Sequence, residues 1–136
     1  MDSPTDSHVD WESLIEAAWQ VRERAHAPYS KFQVGAALLV EGRVITGCNV
    51  ENLSYGLTNC AERVAVGTAI AAGLRKIEAV AVVADTAVPI SPCGACRQVL
   101  AEFGDPLVCL ANRTERLVFR LSKLLPRASS GILDLP

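Results

Sequence analysis

The spacing of hydrophobic residues changes several times along the chain, and each change predicts a new element. Near the start, apolar and small residues recur three and four positions apart, which is typical of an amphipathic helix. Asp10 can cap this helix, and Pro28 disfavours helical geometry just before it, so we expect the helix to end near His26. The helical positions are Trp11, Leu14, Ile15, Ala18, Arg22 and Ala25.

Two β-rich runs follow, over residues 32–40 and 43–50, and only Glu41 and Gly42 separate them. Such a short turn containing glycine predicts a β-hairpin. Residues 51–59 are polar and show little periodicity, so they predict a loop.

The rest of the chain alternates between helical and strand patterns. A helix rich in alanine is predicted for residues 60–72 and ends at Gly73, and another is predicted for residues 93–103 and ends at Gly104. The predicted strands are residues 77–84, 107–111 and 117–121. The loop before the second of these helices, residues 85–92, contains two prolines.

This order of elements predicts an α/β fold. We expect a three-layer α/β/α domain whose mixed five-stranded sheet carries helices on both faces. The hairpin is antiparallel, whereas the strand–helix–strand units should be parallel with right-handed connections. A single domain over residues 1–136 is expected, with a flexible lead-in at residues 1–9 and an irregular tail at residues 127–136.

Composition and charge narrow the functional classes. Half of the 136 residues (50%) are hydrophobic, which suffices for an ordinary core. The net charge is −2, and the sequence lacks the basic patch that binds a polyanion, which argues against a nucleic-acid partner. The first residues are acidic and polar, unlike a secretory signal, and no apolar run reaches the ~18 residues of a membrane span. We therefore expect a cytoplasmic protein without a membrane partner.

Three of the five cysteines lie at the starts of predicted helices. Cys60 opens one helix, and Cys93 and Cys96 open the next, 33 residues after Cys60. Neighbouring parallel strand–helix units begin their helices at the same edge of a sheet, so we expect the three thiols to converge. Three protein ligands with one open position is the pattern of a catalytic zinc site, because structural sites normally use four ligands.

Nearby groups suit a cluster of thiolates. Helix N-termini carry partial positive charge and lower the pKa of thiols. Arg63, one turn after Cys60, can hydrogen-bond a ligand sulfur and offset the negative charge, and Gln98 can play a related neutral role.

Glu62 lies two residues after Cys60, close to the metal without needing to bind it. A carboxylate there can take a proton from a water molecule that zinc activates and pass it to a substrate ring nitrogen, as general base and later general acid.

Each feature also has a simpler interpretation. Glu62 fits the third helical position of a capping box begun by Asn59. The Cys93–Cys96 pair alone fits a redox pair or half of a structural zinc site, and Cys60 alone fits a core position. Taken together at converging helix starts, the residues favour the catalytic interpretation. The remaining cysteines, Cys48 and Cys109, are expected in the core, and neither histidine, His8 nor His26, has a partner at ligand spacing.

Two motifs, CAER at residues 60–63 and PCGACRQ at residues 92–98, closely resemble the zinc-binding signature of the cytidine deaminases. The resemblance extends to APYSKFQVGAAL at residues 27–38, GCNVEN at residues 47–52 and LLP at residues 124–126. It therefore covers nearly the whole predicted domain.

The resemblance implies hydrolytic deamination of cytidine and 2′-deoxycytidine to uridine and 2′-deoxyuridine plus ammonia, in pyrimidine salvage, with one zinc ion (Zn²⁺) per chain. By position in the motifs, Cys60, Cys93 and Cys96 resemble the zinc ligands, and Glu62 resembles the proton shuttle.

The resemblance also implies substrate-binding residues. Phe32 resembles an aromatic that stacks on the base, and Asn49 and Glu51 resemble a pair that binds the ribose 3′-hydroxyl, for which an amide and a carboxylate are suited. The backbone of Ala61 would contact the pyrimidine, and Tyr55 resembles a residue lent by a neighbouring subunit. Simpler roles remain open, with Phe32 in the core and Asn49 in a turn.

The chain resembles the short three-cysteine members of this family, and this resemblance implies a homotetramer with active sites at subunit interfaces. The implied partners are therefore copies of this chain and a free nucleoside. Several members place an aromatic residue shortly after LLP, where it closes a neighbour's pocket. Residues 127–136 contain none, so this lid is expected to differ.

Three other functions compete with this interpretation. Blasticidin S deaminase has similar zinc motifs, but Phe32, Asn49 and Glu51 favour cytidine. A polynucleotide-editing deaminase typically has histidine in place of Cys60 and needs a basic channel studded with aromatics, and the sequence has neither feature. A non-catalytic domain stabilised by zinc does not explain Glu62 beside an incomplete ligand set.

Overall fold

The computed structural model describes residues 9–128, which form four helices and five strands. In chain order they are α1 (Trp11–Arg22), β1 (Val34–Val40), β2 (Arg43–Cys48), α2 (Ala61–Ala71), β3 (Ile77–Ala84), α3 (Gly94–Ala101), β4 (Leu107–Ala111), β5 (Arg116–Arg120) and α4 (Leu121–Leu124), with a short 3-10 helix at Tyr55–Leu57 before α2. No helix within this part of the chain is long and apolar enough to cross a membrane.

The strands form one mixed sheet in the order β2-β1-β3-β4-β5. The hairpin partners β1 and β2 are antiparallel, as the sequence predicts, and β1 is also antiparallel to β3. Consequently β2 and β3 run in the same direction, although β1 lies between them. The adjacent strands β3 and β4 are parallel, and β5 closes the edge in antiparallel orientation. The predicted five-stranded mixed sheet is therefore confirmed.

Helix α1 covers one face of the sheet. The side chain of Asp10 accepts a hydrogen bond from the backbone N–H of Ser13 at 3.2 Å, which confirms the predicted cap. Trp11, Leu14 and Ala18 point from this helix into a core of small strand residues. Gly35 permits the close packing, because a Cβ there would lie 2.0 Å from the carbonyl oxygen of Ala18.

Helices α2, α3 and α4 cover the opposite face, so the domain has the predicted three-layer α/β/α arrangement. Their buried residues pack on the other side of β1, β3 and β4, and Leu100 and Leu121 are among the most buried. Here Gly47 brings β2 against α2, because a Cβ would lie 2.4 Å from the backbone nitrogen of Ala65. This contact sets the depth of α2 over the sheet.

Several element boundaries differ from the sequence predictions. Helix α1 ends at Arg22 and not near His26, because the backbone of His26 forms a bridge with Val50. For the same reason β2 ends at Cys48 and not at Val50. Both later helices begin one residue after the predicted start, since Cys60 and Cys93 are their N-cap residues.

The last elements were predicted only in part. The predicted strand 117–121 lies at Arg116–Arg120, and Leu121 instead begins the short helix α4, which the sequence analysis missed. Val9, placed in the predicted lead-in, packs against the core beside Trp11. The remainder of that lead-in, residues 1–8, and of the predicted tail, residues 129–136, lies outside the described residues.

Candidate metal centre

The three predicted cysteines come together at the starts of two helices. The sulfur atoms of Cys60, Cys93 and Cys96 all lie within 4.8 Å of one another. The Sγ atoms of Cys93 and Cys96 are 3.4 Å apart, and those of Cys60 and Cys93 are 4.0 Å apart. The predicted convergence is therefore confirmed.

The direction of the strands explains this convergence. The chain leaves β2 and reaches α2 through Cys60, and it leaves β3 and reaches α3 through Cys93. Because β2 and β3 run in the same direction, both helices begin at the same edge of the sheet. Cys96 then lies in the first turn of α3, on the buried side of the helix.

The electrostatics of the cluster suit a soft divalent cation. Hydrogen bonding with the Cys96 thiol and with the guanidinium of Arg63 lowers the pKa of Cys60 to about 5, so one sulfur is a thiolate at neutral pH. The same hydrogen bond and burial raise the pKa of Cys96, which keeps its proton. Metal binding by thiols displaces such protons, and three cysteine sulfurs form a donor set that fits one zinc ion.

Arg63 is placed as the sequence predicts. Its Nη2 donates to the Sγ of Cys60 at 3.5 Å, and its buried Nε has no hydrogen-bond partner among the described residues. Gln98, by contrast, lies exposed on α3 beside Val99, Glu102 and Phe103, and forms no hydrogen bond with the cluster. The outer role of Gln98 therefore stays a prediction.

Glu62 lies in the first turn of α2 and is 4% exposed. Burial, and secondarily the charge of Cys60, raise the pKa of this carboxyl to about 7. A group with that pKa exchanges protons readily near neutral pH. The capping-box interpretation is wrong, because Cys60 is the N-cap of α2, no side chain caps the helix, and the backbone of Asn59 pairs with Val50.

A short ladder of backbone hydrogen bonds joins the cluster to the other predicted site residues. Val50 exchanges two hydrogen bonds of 2.9 Å with Asn59, the residue before Cys60. On its other side, the N–H of Glu51 donates to His26, and the N–H of His26 donates to Asn49. Asn49 and Glu51 are thereby fixed next to the start of α2.

The side chain of Asn49 is buried and supports the start of β1. Its Oδ1 accepts from the N–H of Val34 at 2.9 Å, and its Nδ2 donates to the carbonyl of Phe32 at 2.8 Å. A role for Asn49 as a turn residue alone is incomplete, because its side-chain amide links the end of β2 to the backbone at the start of β1. One amide hydrogen and one oxygen lone pair stay available, since the amide group has two of each.

Glu51 is held as a carboxylate. A hydrogen bond from the Ser30 hydroxyl, helped by the N–H groups of Ser30 and Tyr29, lowers the pKa of this carboxyl below its usual range. The Ser30 oxygen also accepts from the N–H of Phe32 at 3.0 Å. Phe32 is 41% exposed, which contradicts a core position.

Ala61 and Tyr55 have contrasting environments. Ala61 is fully buried as the first residue of α2. Tyr55 is 75% exposed in the 3-10 helix, and its ring packs edge-on against Tyr29 at 6.3 Å between centroids. Leu53 and Leu57 beside it are also exposed, so this apolar loop lacks cover within the described chain.

Sequence reasoning missed two side chains that hold the loop leading to Cys93. Asn112 is buried, and its Nδ2 donates to the carbonyls of Thr86 and Ala87 while its Oδ1 accepts from Thr114 and Glu115. At the other end of the loop, the Nε of Arg97 donates a hydrogen bond to the carbonyl of Pro92. No spacing rule signals their long-range contacts, because the carbonyls of Thr86, Ala87 and Leu124 come close to these side chains only on folding. Cys48 and Cys109 lie in strands apart from the cluster; Cys109 is buried in the core as predicted, whereas Cys48 is only partly buried because it ends the edge strand β2.

Three thiols at two helix starts, beside a buried carboxyl, form the donor set of a catalytic zinc site in a three-layer α/β/α domain. The chain belongs to the cytidine and deoxycytidylate deaminase family, since the family model for the "cytidine and deoxycytidylate deaminase zinc-binding region" matches residues 9–112.

Known proteins of this family are similar over most of their length. The chain is 54% identical to a cytidine deaminase of Halalkalibacterium halodurans over 88% of this chain and 94% of that protein. It is 52% identical to a cytidine deaminase of Sporosarcina psychrophila, over 90% and 93% of the two chains. The crystal structure of a cytidine deaminase from Burkholderia pseudomallei superposes with a TM-score of 0.83 at 52% identity, covering 87% of this chain and 98% of that one.

Proposed function

We propose that this protein is a zinc-dependent cytidine deaminase that converts cytidine and 2′-deoxycytidine to the corresponding uridines and releases ammonia. The observation that carries the proposal is the buried carboxyl of Glu62 beside the three-thiol cluster. A closed structural site has no use for such a carboxyl, whereas hydrolysis needs a group that moves protons. The names of the similar proteins support the same substrate.

Cys60, Cys93 and Cys96 would hold the zinc ion, and Arg63 would offset the negative charge of the thiolates. Zinc in a site of this kind supplies Lewis-acid activation of water at neutral pH. Glu62 then accepts a proton from the attacking water and donates it to the ring nitrogen beside the reacting carbon. It next transfers the second proton to the departing amine, so that ammonia leaves and the carbonyl of uridine forms.

The substrate is held by the segments that the backbone ladder joins to α2. Phe32 offers an exposed aromatic face to the base, and the backbone of Ala61 would contact the pyrimidine edge. Glu51 would accept a hydrogen bond from the ribose 3′-hydroxyl, and the remaining N–H of Asn49 would donate one. The hydrogen bonds to Ser30 and Tyr29 keep Glu51 in the acceptor form.

The active unit is proposed to be a homotetramer with dihedral symmetry. The exposed apolar loop around Tyr55 supports a self-contact, because its side chains lack cover within the described residues. In this assembly Tyr55 completes the site of a neighbouring subunit. The protein is proposed to act in the cytoplasm on free nucleosides in pyrimidine salvage, without a nucleic-acid or membrane partner.

Assays of protein purified without added metal test this function. We expect about one zinc per chain by elemental analysis and steady turnover of cytidine and 2′-deoxycytidine. Free cytosine should be a poor substrate because it lacks the sugar, and blasticidin S should be poor because the ribose contacts are unused. Zinc binding without deamination of cytidine would favour a non-catalytic domain, and equal turnover of cytosine and cytidine would refute the ribose contacts.

A further inference from the structure

Arg97 joins the backbone next to the thiol cluster to the end of the domain. Its Nε donates to the carbonyl of Pro92 at 2.9 Å, and its Nη1 donates to the carbonyl of Leu124 at 2.7 Å. Pro92 immediately precedes Cys93, and Leu124 is the last residue of α4. One half-buried guanidinium therefore connects the metal-binding loop to the C-terminal helix.

The first of these bonds restrains the backbone immediately before Cys93. Cys93 is the N-cap of α3, and no side chain caps this helix. Pro92 is fully buried, so its carbonyl needs a partner within the protein. Arg97 supplies that partner from the second turn of the same helix, which holds the residue before Cys93 against α3.

The second bond holds the end of α4. The last carbonyls of a helix have no partner within it, and a cation is favoured there. The start of α4 is fixed separately, because the N–H of Leu121 donates to Pro106 at 2.9 Å and that of Ser122 donates to Asp105 at 2.8 Å. The Arg97 side chain thus connects the far end of α4 to the residue before Cys93.

We propose that Arg97 is a positioning residue for the metal centre, whose planar guanidinium couples the seating of α4 to the retention of zinc. The proposal rests on the proposed zinc site and adds to it a role for the C-terminal helix. Coupling of this kind is reciprocal, so zinc must stabilise α4 to the same extent that a seated α4 stabilises zinc. The guanidinium donates to the backbone carbonyls of Pro92 and Leu124 and would act on the thiols through the backbone.

The experiment compares Arg97→Met with wild type and with Leu14→Val, which loosens α1 on the opposite face of the sheet. The measurements are the rate of zinc release to a chelator and the visible spectrum of the cobalt-substituted protein. We expect Arg97→Met to release zinc about 10–100-fold faster and to alter the cobalt–thiolate bands, as loss of an outer partner of a metal ligand does. Leu14→Val should lower thermal stability while leaving both measurements near wild type.

Two further measurements test the bridge that Arg97 forms between the carbonyls of Pro92 and Leu124. Arg97→Lys keeps the charge but loses the planar fork, so it should remain impaired. Hydrogen exchange over residues 121–125 should increase when zinc is removed from wild type but hardly change in Arg97→Met. Full rescue by lysine, or zinc release from Arg97→Met no faster than from Leu14→Val, would overturn the proposal. If wild type neither holds zinc nor deaminates cytidine, it is the proposed function that fails.

Discussion

The Nη2 atom of Arg63 lies 3.5 Å from the sulfur of Cys60, one helical turn away on α2. A positive charge on the same helix thus stabilises the ionised sulfur and contributes to the pKa of about 5 for Cys60. Cys60 is thus ionised without a bound metal, in part because the guanidinium of Arg63 lies only three residues away.

Cys60→Ala is expected to lower zinc content, thermal stability and activity together, since metal binding is coupled to folding. Zinc content by elemental analysis and the melting temperature measure the effect. Cys48→Ala is the matched control, because Cys48 is a half-buried thiol at the end of β2 outside the cluster. If Cys60→Ala kept a full zinc complement, the ligand assignment would be wrong.

Glu62→Gln should keep zinc and the fold but lose turnover by about 10²–10⁴-fold, the contribution of a general acid–base group. Cytidine binding should survive, because the amide can still donate to the ring nitrogen. Turnover by the zinc-replete variant decides the question, with Asn59→Ala as a control that should be nearly neutral. Near-normal turnover in Glu62→Gln would remove the proton-shuttle role.

The pH dependence of substrate binding should reflect Glu51. Its pKa lies below the usual 4.5, since Ser30 and the backbone stabilise the carboxylate. As the pH falls, Glu51 therefore stays ionised until the pH is below 4.5. Protonation of Glu51 should not lower kcat/KM at any higher pH. In Ser30→Ala the pKa rises toward its usual value, so KM for cytidine should increase at a higher pH than in wild type. Superimposable KM–pH profiles of the two proteins would exclude this role of Ser30.

Gly47→Ala is expected to destabilise the protein by about 1–3 kcal/mol, the usual effect of overpacking. The added methyl group would meet the backbone of Ala61 and Ala65, so it must move α2 and the cluster with it. Gly67→Ala is the matched control, since a Cβ there meets nothing within 4 Å and alanine favours the helix by about 0.5–1 kcal/mol. Denaturant unfolding should show opposite signs for the two variants, and only Gly47→Ala should release zinc faster.

The proposed subunit contact predicts complementation between inactive variants. Tyr55→Ala and Glu62→Gln should each have low activity, but mixed tetramers combine Tyr55 from one chain with Glu62 from another in a single site. Co-refolded mixtures should therefore regain activity, and light scattering should show tetramers. An active monomer, or mixtures no more active than their separate components, would contradict the shared site.

Sequence alone predicted the centre of the fold better than its edges. The bounds of β3 and β4 are as predicted, because both are uninterrupted apolar runs, and the thiols converge because strand direction determines where helices begin. Helix α4 escaped detection since four residues show no period. The exposure of Gln98 did not follow from its sequence position, because spacing from Cys96 does not determine which side of α3 a residue occupies.

Contacts between residues distant in sequence could not be predicted from the spacing of hydrophobic and polar residues. Arg97 and Asn112 bond backbone carbonyls distant in sequence, and the close approach at Gly35 involves Ala18 of α1, which is also distant in sequence. Such contacts become visible only when the positions of whole elements are known.

Both helices of the metal centre begin on a cysteine where a serine, asparagine or aspartate normally stands, and neither has a side-chain cap. A good cap contributes about 1 kcal/mol to a helix, so each start is weak until something else restrains it. Zinc held by the two capping cysteines would be that restraint, pinning two helix ends with one ion. Newly made chains in a zinc-starved cell would then have two frayed ends open to proteases, and degradation would act as quality control that spares loaded molecules.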